Sequence, residues 1–338
     1  MAAVVLGCCL ITSCKQKQVE NGEVVVTDSL AYFADQIKAH PKDAELYYRR
    51  AKYQFEHEFV QEAYSDILKA VKLNDHVAKY YVLYADIDYA RADFDSSEEH
   101  LQKALSIDEN NNEVRLKLAE LFYYRANNVH SYYDECLKLL EEARTRQPHN
   151  PKAYLIEAMC YKERGDTTNY LHRLQMVIDQ DPTEVKAHLE LGYFYQKHLD
   201  PIGIDHYQNA LRIEPNNEEI NYNLGLFYRD LGRIDEAKEQ FTHMTAIIKS
   251  GTYVANAYYN LGYFDLQEGN YKSAANNFSK AIDCDKAFVD AYAARGEAYE
   301  QLAQYEQARA DYNRALQLKT NFEKAIEGLN SIDKKLKK

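Results

Sequence analysis

One spacing pattern governs this sequence. A small residue is followed about twelve positions later by a second, then by a bulky apolar residue four on, and usually by Ala three further. The first small slot holds Ala51, Ala85, Ala119, Ala158, Gly192, Gly225, Gly262 and Gly296, at successive intervals of 34, 34, 39, 34, 33, 37 and 34. The second holds Ala63, Ser97, Cys136, Tyr170, Gly203, Ala237, Ala274 and Ala308. Ile67, Leu101, Leu140, Leu174, Tyr207, Phe241, Phe278 and Tyr312 fill the bulky position. Self-similarity at such a period means one supersecondary unit stacked eight times, each needing its neighbours to bury its apolar face. The usual allowance of roughly 150 residues per domain does not apply to such a chain.

Within each unit, apolar residues recur at i, i+3, i+4 and i+7, the mark of amphipathic helices. Two helices per unit are expected, joined by a short turn that holds Gly165, Gly232 and Gly269 in three repeats. Paired small residues let the two helices approach closely, since larger side chains would force them apart. Pro41, Pro148, Pro182 and Pro215 fall just past second helices, where proline ends the helix and redirects the chain.

The pattern resembles the tetratricopeptide repeat family, in which W-x2-L-G-x2-Y precedes Ala, Phe and Pro at fixed offsets. Repeat six carries it as Leu224-Gly225, Tyr228, Gly232, Ala237 and Phe241. Tyr47, Tyr81, Tyr154, Tyr258 and Tyr292 replace the family's Trp, which accounts for part of the 30 Tyr and the absence of Trp. The resemblance implies an all-α fold: a right-handed α-solenoid of about eight helix-turn-helix repeats over residues 44–320. A capping helix is expected within 29–43, and another within 321–338 that turns Phe322, Ile326, Leu329 and Ile332 inward. Its basic end, Lys334 to Lys338, suits a helix C-terminus. Repeat three has five extra residues around 126–133, and the seam between repeats six and seven has three around 247–253.

Residues 1–13 read as a signal peptide. The apolar run Ala2–Thr12 is too short to span a bilayer. Ile11-Thr12-Ser13-Cys14 resembles the lipobox of bacterial lipoproteins, which implies cleavage before Cys14 and lipid attachment to its thiol. No Lys or Arg precedes the apolar core, which departs from the pattern and leaves the true start of the chain open. Residues 14–28 are expected to serve as a polar tether. Lys15 after Cys14 lacks the acidic residues that resemble surface-export signals, so an outer-membrane lipoprotein facing the periplasm is expected.

Composition narrows the function. A net charge of −12 argues against nucleic-acid binding. The 11 His form no HExxH, and no GxGxxG or GxxxxGK[ST] occurs. Asp93-x-Asp95-x-Ser97 and Asp108-x-Asn110-x-Asn112 lack the Gly and the closing Glu of a calcium loop and read as turns. Cys136, Cys160 and Cys284 have no zinc spacing and are expected as buried apolar residues, with a disulfide open in an oxidising compartment. No enzyme, cofactor or metal site is expected.

The resemblance implies that first helices line the inner surface of the superhelix, at positions one to four on either side of the first small slot. In repeats five to seven these include Leu189, Tyr193, Tyr222, Asn223, Leu226, Tyr259, Asn260, Tyr263 and Leu266. Tyr222 with Leu226, and Tyr259 with Tyr263, are i,i+4 pairs on one face. Asn223 and Asn260 stand at equivalent positions, resembling an Asn slot in repeat proteins that grip extended peptides. A primary amide can donate to and accept from a peptide backbone without reading its sequence. The carboxylate clamp of other family members lacks its Lys and Arg here. The expected function is a membrane-anchored adaptor or scaffold of the bacterial envelope that holds a protein or extended peptide. A structural subunit of a secretion or motility complex, and a glycan-binding lipoprotein, stand as alternatives.

Overall fold

A computed structural model describes residues 17–20, 23–26, 29–126 and 130–337. Cys14 and its lipobox lie outside the described residues. Within the expected tether, β1 (Lys17–Glu20) and β2 (Glu23–Val26) pair antiparallel. The remaining elements among the described residues are eighteen helices.

The chain divides into two compact units, residues 1–165 and 166–338. The first holds α1 (Ser29–Ala39), the pairs α2 (Ala44–Glu56) with α3 (Val60–Leu73), α4 (Ala78–Ala90) with α5 (Phe94–Ile107) and α6 (Asn112–Ala126) with α7 (His130–Arg146), and then α8 (Pro151–Glu163). The second opens with α9 (Thr167–Gln180). It continues with the pairs α10 (Val185–Lys197) with α11 (Ile202–Ile213), α12 (Glu218–Asp230) with α13 (Ile234–Ile247), α14 (Thr252–Gln267) with α15 (Tyr271–Cys284) and α16 (Val289–Gln301) with α17 (Tyr305–Leu318). It closes with α18 (Glu323–Leu336). Both units are stacks of helix pairs, the architecture of an α-solenoid, and the helices fall where the repeat register puts them.

Local chemistry sets the helix ends. Asp43, Asp93, Asn150 and Asn217 each accept a hydrogen bond from a backbone N–H in the first turn of the helix they precede. Asp93 is thus a helix cap, and Asp108 bonds the turn at Asn110 and Asn111. Seven residues past the first small slot the backbone turns left-handed, at Glu58, Ala92, Gly165, Leu199, Gly232, Gly269 and Ala303, with φ between 53 and 78°. Only three of these are glycine, the residue that adopts this conformation without a steric cost.

The small slots work by receiving a specific neighbour. A methyl group built on Gly225 would lie 2.5 Å from the Phe241 ring; on Gly262, 2.7 Å from Phe278; on Gly192, 2.8 Å from Tyr207; on Gly296, 2.9 Å from Tyr312. Each ring belongs to the second helix of the same repeat and sits over the bare glycine backbone. In the first unit, Ala51 shares a fully buried cluster with Ile67, and Ala85 and Ala119 share another with Leu101 and Leu140.

The first and last repeats each join their two helices through a two-bond Arg–Asp pair. Arg50 grips Asp66 with two bonds of 2.6 and 2.7 Å, and Arg295 grips Asp311 at the equivalent positions with two of 2.7 Å. Such paired contacts fix geometry as well as adding energy. The C-terminal cap departs from expectation in one residue. Ile332 is buried, and Phe322 and Leu329 pack partly against the core, but Ile326 is 41% exposed. Ala325 and Gly328 take the inward positions instead. Gly328 does so because the Tyr312 ring presses on its backbone and leaves no room for a β-carbon. Glu300 completes the join. It accepts bonds from Tyr312 (3.1 Å) and from Ser331 of α18, and pairs with Lys335 at 2.9 Å.

Candidate peptide-binding face

Positions three before and one after the first small slot are four apart, so they lie on one face of each first helix. In the second unit these pairs are Leu189 and Tyr193, Tyr222 and Leu226, Tyr259 and Tyr263, and Ala293 and Glu297. In the first they are Tyr48 and Lys52, Val82 and Asp86, Leu116 and Glu120, and Leu155 and Met159. Three clefts among the described residues open on several of these side chains. One of ≈ 380 Å³ lies between α14, α16 and α18, walled by Tyr259, Tyr263, Leu266, Asp290, Glu297 and Glu327 among others. Another of ≈ 330 Å³ is lined by Tyr48, Lys52, Lys79 and Asp86 with Glu113, and one of ≈ 280 Å³ by Asp86, Tyr89, Lys117, Glu120 and Tyr124.

The two expected asparagines are both engaged within the fold. Asn223 donates to the Tyr193 hydroxyl at 2.8 Å, and that hydroxyl donates to Glu219. Asn260 is buried. It donates to the Asn256 carbonyl at 2.9 Å and to the Tyr222 hydroxyl at 3.4 Å, while Arg229 donates to its side-chain oxygen at 3.1 Å. Apart from the bond to the Asn256 carbonyl within α14, these bonds run from one first helix to the next, joining α10 to α12 and α12 to α14. Asn223, Asn260, Tyr193 and Tyr222 therefore form a polar seam between repeats. Burial, followed by the bond to Glu219, pushes the Tyr193 phenol up, and burial does the same at Tyr222 against the opposing bond from Asn260.

Tyr259 and Tyr263 are placed differently. Tyr263 is 45% exposed at the cleft wall. Tyr259 packs its ring on Phe288 at 5.1 Å, and its phenol is pushed up to about 12 by burial and then by the charge of Asp290. It stays a neutral donor across the ordinary pH range. On the opposite wall, Glu297 is held above the usual carboxylate range by its low-dielectric surroundings and then by Glu300, with Lys324 opposing. Lys324 approaches Asp290 at 3.9 Å. The cleft thus offers aromatic area on one side and an excess of carboxylate on the other. That arrangement suits an apolar side chain followed by a cation.

Sequence reasoning centred the site on repeats five to seven and did not single out Asp290, Glu297, Lys324 and Glu327, or the clefts of the first unit. The same four-apart rule, carried into repeats one to three and eight, reaches Tyr48, Lys52, Asp86, Glu120 and Glu297. Cap residues Lys324 and Glu327 lie outside the repeats, so no register predicts them. Among the described residues, no group of three or more His, Cys, Asp or Glu could hold a metal ion, and no helix is long and apolar enough to cross a membrane.

This fold and face define a helical-repeat protein with a lined first-helix surface. Tetratricopeptide-repeat sequence profiles match residues 217–287 and 277–310, so tetratricopeptide repeats are present within residues 217–310. It is similar to Hsp70-Hsp90 organizing protein 2 of Arabidopsis thaliana, 32% identical over 90 residues, which is 26% of this chain and 16% of that one. The chain therefore matches about one sixth of that relative's length. It is also similar to the type IV pilus assembly protein PilF of Pseudomonas aeruginosa, 25% identical over 133 residues, 38% of this chain and 52% of that one. Among solved structures, the C-terminal part of a repeat protein from Cytophaga hutchinsonii superposes with a TM-score of 0.58 at 18% identity. It covers 73% of this chain and 98% of that one, and shares the fold.

Proposed function

We propose that this chain is a lipid-anchored adaptor of the bacterial cell envelope that holds an extended protein segment along its first helices. The observation that carries the reading is the cleft between α14, α16 and α18. There the exposed Tyr263, the neutral Tyr259 and Leu266 face Asp290, Glu297 and Glu327 across ≈ 380 Å³. A segment with an aromatic or aliphatic side chain beside a Lys or Arg would fill it. Asn223 and Asn260 enter this reading as the seam that positions the wall, not as groups that bond the partner. Anchoring at Cys14, from the Ile11–Cys14 lipobox, would concentrate the adaptor and its partner at one membrane.

A photo-crosslinking residue at Tyr263, compared with one at Ile234 on a second helix, tests the face. Envelope-fraction partners are expected to couple through position 263 and to be lost with Glu297→Lys. Equal coupling at both positions would sink the proposal. Metabolic labelling with a palmitate analogue tests the anchor, and the label is expected to vanish in Cys14→Ser. The likeness to a pilus assembly protein favours a second reading, a fixed subunit of an envelope assembly. Co-purification at constant stoichiometry would distinguish that from exchangeable adaptor binding.

A further inference from the structure

Cys136 on α7 and Cys160 on α8 are both fully buried, and their sulfurs stand 3.3 Å apart. That is closer than the roughly 3.5–4.0 Å at which non-bonded carbon atoms pack. The pair occupies a contact that recurs through the fold, where the second small slot of one repeat meets the residue two past the first small slot of the next. At that contact Gly203 receives the ring of Phe227, so small is matched with large. The same register pairs Ala63 with Ile87 and Ala237 with Phe264. The same register also sets Tyr170 on Phe194 and Ala274 beside Ala298, and at Cys136 and Cys160 both side chains end in sulfur.

We propose that Cys136 and Cys160 form a disulfide that pins α7 to α8 at the end of the first unit. Bond formation needs the sulfurs to close to about 2.05 Å, a relative movement of about 1.3 Å that small side-chain rotations supply. The oxidant is a donor disulfide of the exchanging kind, small or protein-borne. The Cys136 thiolate attacks one donor sulfur, releasing the other as a thiol and leaving a mixed disulfide. The Cys160 thiolate then attacks the Cys136 sulfur and the second donor thiol leaves. Two electrons pass from the cysteine pair to the donor, and the two protons lost by the cysteines appear on its sulfurs. In the folded chain both thiols are sealed from solvent, and the contact with Cys160, then burial, pushes the Cys136 thiol up. Exchange therefore precedes packing of α8 on α7, and the finished bond is shielded from reductant. This reading is independent of the peptide-binding face and requires only that the chain folds where donor disulfides are available.

The test uses the full chain refolded with oxidised glutathione, denatured, alkylated without reductant and digested. Peptides carrying Cys136 and Cys160 are expected as one covalent pair, two hydrogens lighter than their sum and separated by reduction. Alkyl label on both cysteines, or glutathione on each, would overturn the proposal. A second measurement compares melting before and after reduction. Closing a loop of this length is expected to raise Tm by roughly 5–15 °C, and the difference should disappear in the Cys136→Ala/Cys160→Ala variant. A bond that forms without moving Tm would reject the pinning role.

Discussion

The two units solve one packing problem with different pairs of side chains. Residues 1–165 set Ala in the first small slot against Ile67, Leu101 and Leu140, whereas residues 166–338 set Gly against Tyr207, Phe241, Phe278 and Tyr312. Removing a methyl from one helix makes room for a ring from the other, so the summed volume stays near that of a packed interior. The seams between first helices differ as well. In the first unit they are ionic: Lys79 meets Glu45 at 2.9 Å, Lys117 meets Asp86 at 2.7 Å, and Lys152 meets Glu120 at 2.9 Å. In the second, Tyr193 with Asn223 and Tyr222 with Asn260 make neutral bonds. One backbone plan thus joins its first helices through Lys–carboxylate pairs in one unit and through Tyr–Asn bonds in the other.

Converting one packing solution into the other is the strongest way to break this comparison. Phe241→Leu should cost about 1–3 kcal/mol, and Gly225→Ala a similar amount, because its methyl would meet the ring at 2.5 Å. The double variant recreates the pair of the first unit. It should cost less than the sum by at least about 0.5 kcal/mol in a urea-unfolding cycle. Additive losses would show that the slots are not matched in size.

The neutral seam comes next. Asn223→Ala with Asn260→Ala removes two bonded amides and should lower stability by about 1–3 kcal/mol. Partner binding by the remaining folded protein should be intact. Undiminished melting with weakened binding would return the asparagines to the groove as ligands.

The ionic seam should respond to salt more than the Tyr–Asn seam, where the charged groups Glu219 and Arg229 bond neutral partners. Raising salt from about 0.1 to 1 M shortens the screening length from about 10 to 3 Å. Hydrogen-exchange protection of α4 and α6 should fall by no more than about 1 kcal/mol, and that of α12 and α14 by less. Asp86 adds a pH signature. Burial raises its pKa above the ordinary value of 3.8, and the opposing pull of Lys117 is weaker. A raised carboxyl gives stability that is present below 3.8 and lost as pH climbs through the folded-state value. Asp86→Asn should flatten that part of the stability profile, and an unchanged slope would assign it elsewhere.

The smallest expected effect concerns a feature the units share. Ala92 and Ala303 hold the left-handed turn with φ of 60 and 58°. Glycine there relieves steric cost but loses entropy in the unfolded chain, so Ala92→Gly and Ala303→Gly should each stabilise by a few tenths of a kcal/mol, up to about 1. A loss in either would mark the turn as constrained by its neighbours.

The repeat register, the helix pairs, the proline stops and the capping helices were all legible in the sequence. Each depends on spacing along the chain, and a helix converts spacing into a face with a fixed period. The Gly225 and Phe241 slots were legible for the same reason, although the sequence did not say that one receives the ring of the other. What only the tertiary structure decided depends on which side chains from different repeats meet. The sequence alone leaves the Asn260 amide open to a partner, whereas in the fold Arg229, Tyr222 and the Asn256 carbonyl bond it. Ile326 fitted the inward stripe of the cap, yet the Tyr312 ring against Gly328 rotates α18 so that Ala325 and Ile332 face the core. Cys136 and Cys160 lie 24 residues apart in sequence and 3.3 Å apart at sulfur. Periodicity assigns a residue to a face, but the neighbour that fills its last bond or last few cubic ångströms comes from another helix. That pairing exists only once the helices are packed.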